Sequence, residues 1–201
     1  FDGSNIVADS LTITQSISDS EQIKYGTVEA SMLEVRLADS GAFPISIVPP
    51  SPIQLATDTA EPVYTALPEN KIGLFIVDEC TREADTWFIK IVAYDRLYRF
   101  RQDVSAWYND PTTWPYALPE GNANMLGDLF ASLCDHLGVP HDDLFISNDG
   151  KTIFKTVNPS SIPGTEVLSA MCELNGCWPQ MSPEGVLRRV RLGGTSCETF
   201  D

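Results

Sequence analysis

The residues of this chain best equipped for chemistry fall in a few short stretches. Cys134-Asp135-His136 and His141-Asp142-Asp143 set a thiol, carboxylates and imidazoles close together. A nucleophile, a base and an orienting carboxylate are what acyl transfer needs, provided that they meet in space. Neighbouring residues on a helix point about 100° apart, so Cys134, Asp135 and His136 do not face one another there. They read as the polar end of an amphipathic helix followed by an acidic loop. Asp78 and Asp95 each follow an apolar run, KIGLFIVD and IKIVAYD. Paired carboxylates can do general acid–base work. Aspartate is also the usual residue for ending a strand, because its side chain bonds the next backbone amides. That structural role is expected for both, with Asp95 capping a short helical turn and Leu97 packing back. Tyr94 is expected to pack its ring while its hydroxyl reaches a polar partner.

Cys177 follows Gly176 at a helix end in ELNGCWPQM. The negative C-terminal end of a helix raises a thiol pKa, so Cys177 reads as a small buried hydrophobe. The five cysteines, Cys80, Cys134, Cys172, Cys177 and Cys197, are an odd number with no CxxC spacing. That is neither a disulfide framework nor a zinc knuckle, and free thiols in a cytoplasmic product are expected. His136 and His141 lie outside HExxH and HxxxH patterns, and GxSxG and Walker loops are absent. The expectation is no catalytic residue, no cofactor and no metal site.

Composition narrows the partners. Lys+Arg number 13 against 28 Asp+Glu, a net charge of −15. Such a surface lacks the cations that displace counterions from phosphates, so specific nucleic-acid binding is not expected. Acidity keeps the chain soluble. No apolar run approaches the ~20 residues of a membrane span, and no secretory signal pattern is visible. The chain begins with Phe1, as an excised piece of something longer would.

These residues must be positioned by recognisable elements. Leu11 to Ile17, and Leu33, Val35 and Leu37, alternate at the period of a strand with one wet face. Lys71 to Asp78 is continuously apolar in the middle, as a strand buried on both faces is, and Glu79 to Asp85 is a polar connection. Trp87 to Ala93 returns as its antiparallel partner. Between these strands, residues 40–70 hold Pro44, Pro49, Pro50, Pro52, Pro62 and Pro68. Proline donates no ladder hydrogen bond, so this is a surface excursion with at best short edge strands.

After Gln102 the texture changes. Residues 109–121 read as a Pro-rich aromatic linker. Met125, Leu126, Leu129, Phe130, Leu133 and Leu137 then recur at helical spacing, with Asn122 or Asn124 as cap and Gly138 with Pro140 as stop, and a second helix opens at Ser161 and is closed by Asn175-Gly176. Residues 151–158 suit a strand, and 178–192 a hairpin. The fold class is therefore α+β: an antiparallel β domain over residues 1–103, then a small α+β domain over 104–201.

In this order the blocks resemble a known family. KIGLFIVDECTREADTWFIKIVAYDRLYRF (Lys71–Phe100), VSAWYND (Val104–Asp110), LCDHLGV (Leu133–Val139) and GTEVLSAMCELNGCWPQMSPEGVLRRVRL (Gly164–Leu192) resemble tail proteins of siphophages and prophages of Gram-positive bacteria. The family is that of the N-terminal modules of the baseplate hub, or tail-associated lysin. The block residues that stand out are Gly73, Phe75, Val77, Asp78, Tyr94, Asp95, Trp107, Tyr108, Gly176 and Cys177.

The resemblance implies a β-barrel-like domain of the tail-tube type joined to a small α/β domain, and a homotrimeric ring in the full-length protein. It implies a virion tail location after assembly in the host cytoplasm, and tail tube, distal tail and tape-measure proteins as partners. The chain stops before the family's second barrel and before any lytic domain. Two alternatives stay open: a fragment of a cell-wall hydrolase, and a carbohydrate- or receptor-binding module using Trp107, Tyr108, Trp114 and Tyr116.

Overall fold

In the computed structural model, which describes residues 6–16, 25–38, 52–54, 72–83, 87–119 and 121–191, the alternating apolar residues become one buried sheet face. The chain groups into two units. The first holds residues 1–16, 29–98 and 181–186, and the second 17–28, 99–180 and 187–201.

In the first unit, β1 (Thr12–Thr14), β2 (Met32–Ala38), β3 (Pro52–Gln54), β4 (Leu74–Arg82) and β5 (Phe88–Tyr94) pair antiparallel in the order β1-β2-β5-β4-β3. The register sets Leu33, Val35 and Leu37 opposite Ala93, Ile91 and Ile89, and Phe75 and Val77 of β4 complete this core. Each large side chain so buried stabilises the unit by about 1.5–3 kcal/mol before entropy is counted.

Three expectations change here. β4 is not buried on both faces, because Phe75 and Val77 are buried while Leu74 and Ile76 are half-exposed. Nor does it end at Asp78. It runs to Arg82 through a register shift between Val77 and Glu79 that makes Asp78 the extra residue of a bulge. The sheet is also open rather than a closed barrel among the described residues. Closure needs the outermost strands to bond each other, and here β1 and β3 are three-residue edges paired to β2 and β4. The Pro-rich excursion lies outside the described residues except for β3. Pro52 opens that edge strand, where a missing N–H costs no ladder bond.

The second unit runs through α1 (Ser105–Asn109), a 3-10 turn (Pro111–Thr113), β6 (Tyr116–Leu118), β7 (Gly121–Met125), α2 (Leu126–Leu137), β8 (Thr152–Phe154), α3 (Gly164–Asn175), β9 (Trp178–Met181) and β10 (Leu187–Val190). Its sheets are β6-β7-β8 and the hairpin β9-β10. α2 buries Leu126, Leu129, Phe130, Leu133 and Leu137, the spacing of one helical face. Both long helices end on a left-handed glycine, Gly138 (φ 63) and Gly176 (φ 60). Val139 N–H bonds Cys134 O, and Cys177 N–H bonds Cys172 O, which satisfies carbonyls the helices leave open.

Residues 109–121 do not form a linker. Asp110 caps the 3-10 turn by accepting from Thr112 N at 2.8 Å, β6 follows, and Trp114 is buried. Neither Asn122 nor Asn124 caps α2. Asn124 lies in β7 and donates from Nδ2 to Thr113 O at 3.0 Å, a bond worth more to a buried amide than a cap at the surface.

The turn Ser182–Gly185 offers a direct test. Gly185 has φ 76, and a Cβ there would lie 2.8 Å from Leu74 Cδ2. Gly185→Ala should cost about 1–2 kcal/mol from the left-handed backbone, read as a lower urea midpoint at unchanged slope. No helix among the described residues is long and apolar enough to cross a membrane.

Candidate functional site

The residue singled out in the first unit, Asp95, sits at the end of β5 and is 4% exposed. Its Oδ2 accepts the Ser31 N–H at 2.9 Å and its Oδ1 accepts the Leu97 N–H at 2.9 Å. Its own N–H bonds Ser31 O at 3.0 Å, and its carbonyl receives Tyr98 N–H at 3.2 Å, which starts the 3-10 turn Arg96–Arg101. One carboxylate thus ties the entry to β2 to the exit from β5. Burial pushes its pKa above the ordinary value, with the Ser31 and Leu97 bonds pulling the other way.

Tyr94 stacks on Tyr98 with centroids 4.6 Å apart, and Arg96 Nη1 donates to Gly185 O at 2.8 Å. Gly73 leaves room for the Phe75 ring, which would lie 2.8 Å from a Cβ at that position. Asp78 is exposed at the bulge while Asp95 is buried against backbone amides. The two carboxylates therefore do not act as a pair.

In the second unit the AWY block is an anchoring cluster. Trp107 is buried, donates from Nε1 to Ser132 Oγ at 3.1 Å and stacks against His136. Trp114 Nε1 and Lys155 Nζ both donate to Tyr108 O, at 2.7 and 2.9 Å. Lys155 also lies 5.3 Å from the Tyr108 ring centre and 5.9 Å from that of Trp114, in cation–π reach. With Trp107 and Trp114 buried, of the four aromatics in this stretch Tyr116 is the one that presents a largely open ring.

The structure brings the imidazole–carboxylate stretches only partly together. His141 Nε2 lies 3.8 Å from Asp135 Oδ1, and its ring packs edge-on to Phe130. Cys134, fully buried, turns to the core while Asp135 and His136 stay exposed. Burial pushes the Cys134 thiol up to about 12. Iodoacetamide at pH 8 should leave Cys134 unmodified in the native chain and label it fully in urea, read by peptide mass mapping. Cys177 Sγ points at Cys172 O at 3.6 Å, and the adjoining Cys177 sulfur and burial push the Cys172 thiol up. Among the described residues, no three His, Cys, Asp or Glu side chains converge to hold a metal ion.

The most connected polar group was not anticipated from sequence. Asp149 and Arg189 form a buried bidentate pair, Nη1–Oδ1 2.6 Å and Nη2–Oδ2 2.9 Å. Asn175 Nδ2 donates to Asp149 Oδ1 at 3.0 Å, Ile146 N–H to its Oδ2 at 2.8 Å, and Arg189 Nη2 to Leu144 O at 2.8 Å. The guanidinium lies 4.1 Å over the Phe130 ring. Burial alone would raise the Asp149 carboxyl, but the Arg189 and Ile146 bonds outweigh it and hold it below its ordinary value. The available signal was Arg189 standing two residues from Leu187, in the buried phase of its strand. Every partner of this pair is a group of the fold itself, so the pair joins loop, helix and hairpin.

No protein-family model matches the chain, and no curated protein matches it. Among solved structures it is similar to the prophage MuSo2 43 kDa tail protein from Shewanella oneidensis, at 13% sequence identity and a TM-score of 0.47. The match covers 84% of this chain and 48% of that one, so the chain spans about half the length of that protein.

Proposed function

We propose that this chain is a structural component of a bacteriophage or prophage tail tip, a baseplate hub module joining the tail tube to distal tail proteins. One observation carries the reading: the blocks that resemble hub proteins coincide with the framework of both units, in chain order. The first block supplies β4, β5 and the Asp95 turn, the AWY block α1, the third the end of α2, and the last α3 and the β9-β10 hairpin. Their distinctive residues serve packing and chain reversal: Phe75, Val77, Asp95, Trp107 and Cys177 are buried, and Gly176 takes the left-handed cap. A module whose defining residues are spent on shape fits an assembly role rather than an enzymatic one.

In this reading the full-length protein is a homotrimer in the virion tail, assembled in the host cytoplasm, with tail tube, distal tail and tape-measure proteins as neighbours. The test is immunogold electron microscopy of particles induced from a host carrying the gene, with antibody raised to this chain. Label at the tail tip is expected, and label on heads, or none on intact particles, would overturn the reading. Release of soluble peptidoglycan fragments by the purified chain would instead point to a cell-wall hydrolase.

A further inference from the structure

The second unit presents apolar side chains on one side of its three-stranded sheet. Tyr116 pairs with Ala123, Ala123 with Phe154, Leu118 with Gly121 and Met125 with Thr152. Directly opposed residues share a face, as do residues two apart along a strand. Tyr116, Leu118, Met125 and Phe154 therefore stand on one face, and all four are exposed. Met125 also forms part of the wall of a cavity of about 230 Å³, with Phe130, His141, Asp142, Phe145 and Arg189. At that cavity Leu144 is 61% and Phe145 70% exposed. Isolated apolar side chains on a surface are ordinary, but a run of them on one sheet face, joined through Met125 to the exposed Leu144 and Phe145 at the cavity, marks an interaction site.

Charge narrows the occupant. Asp128, Asp142 and Asp143 line the same cavity, and no ion pair engages them among the described residues. Arg189 in the wall is already neutralised by Asp149. On the β8 side the basic groups are Lys151, exposed beside Thr152, and Lys155, whose Nζ is taken up by Tyr108 O. A second copy of the chain, at net charge −15, would set this acidic rim against itself. A metal ion is disfavoured because the carboxylates do not converge on one point. The cavity is below the ~300–1,000 Å³ of small-molecule pockets and suits a single side chain.

We propose that this face is a docking surface for a protein segment that presents a large apolar side chain flanked by lysine or arginine. The inference follows from this surface alone and stands whether or not the chain belongs to a tail. It is tested by panning a random peptide library on the immobilised full-length chain and measuring the enriched peptides by fluorescence anisotropy. Enriched sequences should combine an aromatic or long aliphatic residue with Lys or Arg, and bind more weakly as salt rises. Leu144→Ser with Phe145→Ser should weaken them at least about tenfold, and Asp142→Asn with Asp143→Asn by about threefold or more. These four side chains are not in the core, and matching thermal melts verify that the variants fold. Failure to enrich any peptide, enrichment of acidic or uncharged ones, or affinities unchanged in both variants would overturn the proposal. So would self-association in light scattering that Phe145→Ser abolishes, which would give the face to a second copy.

Discussion

Arg189→Met should destabilise the chain by about 3–5 kcal/mol, because it leaves the buried Asp149 carboxylate without its counter-charge. Methionine keeps the apolar bulk over the Phe130 ring, so the loss reports the pair and not a cavity. Asp149→Asn strands the guanidinium instead and should cost a similar amount. The double variant should lose less than the sum of the two, with a coupling of about 2 kcal/mol. A neutral amide at position 149 can still accept the Ile146 N–H that Asp149 Oδ2 now receives. Additive losses in urea unfolding would show that the pair contributes no coupling of its own. Because the Asp149 pKa is lowered on folding, its contribution is complete above the ordinary value of 3.8 and fades as pH falls through the folded value. The gap between wild type and Asp149→Asn should therefore narrow only in acid. Arg189 also holds the Leu144 carbonyl, so amide exchange across residues 144–150 should quicken in Arg189→Met.

Asp95→Ala should cost about 2–4 kcal/mol, since it leaves the Ser31 and Leu97 amides without acceptors at the junction of β2, β5 and the following turn. Asparagine is a poor rescue, because one of its two side-chain positions is a donor facing an N–H. Asp95→Asn should thus recover part of the loss and no more. The pH dependence runs opposite to that of Asp149. The folded pKa of Asp95 is raised, so its contribution is complete below 3.8 and shrinks as pH climbs through the folded value. The gap between wild type and Asp95→Ala should be widest in acid and smaller at neutral pH. An unchanged melting temperature at both pH values would remove Asp95 from the structural role assigned to it.

Sequence by itself determined what depends on near neighbours along the chain. The alternation of Leu33, Val35 and Leu37 and of Ile89, Ile91 and Ala93 dictates two strands with one buried face, because side chains two apart point the same way. The spacing of Leu126, Leu129, Phe130 and Leu133 dictates a helix, and Gly138 and Gly176 its kind of ending, because only local backbone geometry is involved. The Asp95 turn was legible for the same reason: one of its bonds reaches just two residues ahead.

Tertiary structure decided the rest. Whether the sheet closes depends on which strands lie at its edges, a relation between residues far apart in sequence. The bulge at Asp78 depends on the register against β5. The burial of Trp114, which turns an apparent linker into part of the second unit, depends on the groups that happen to cover it. The partner of Arg189 stands 40 residues away in a turn. A charged side chain reads as solvated until the fold supplies a counter-charge in the same buried place, and nothing in the local pattern around either residue specifies the other.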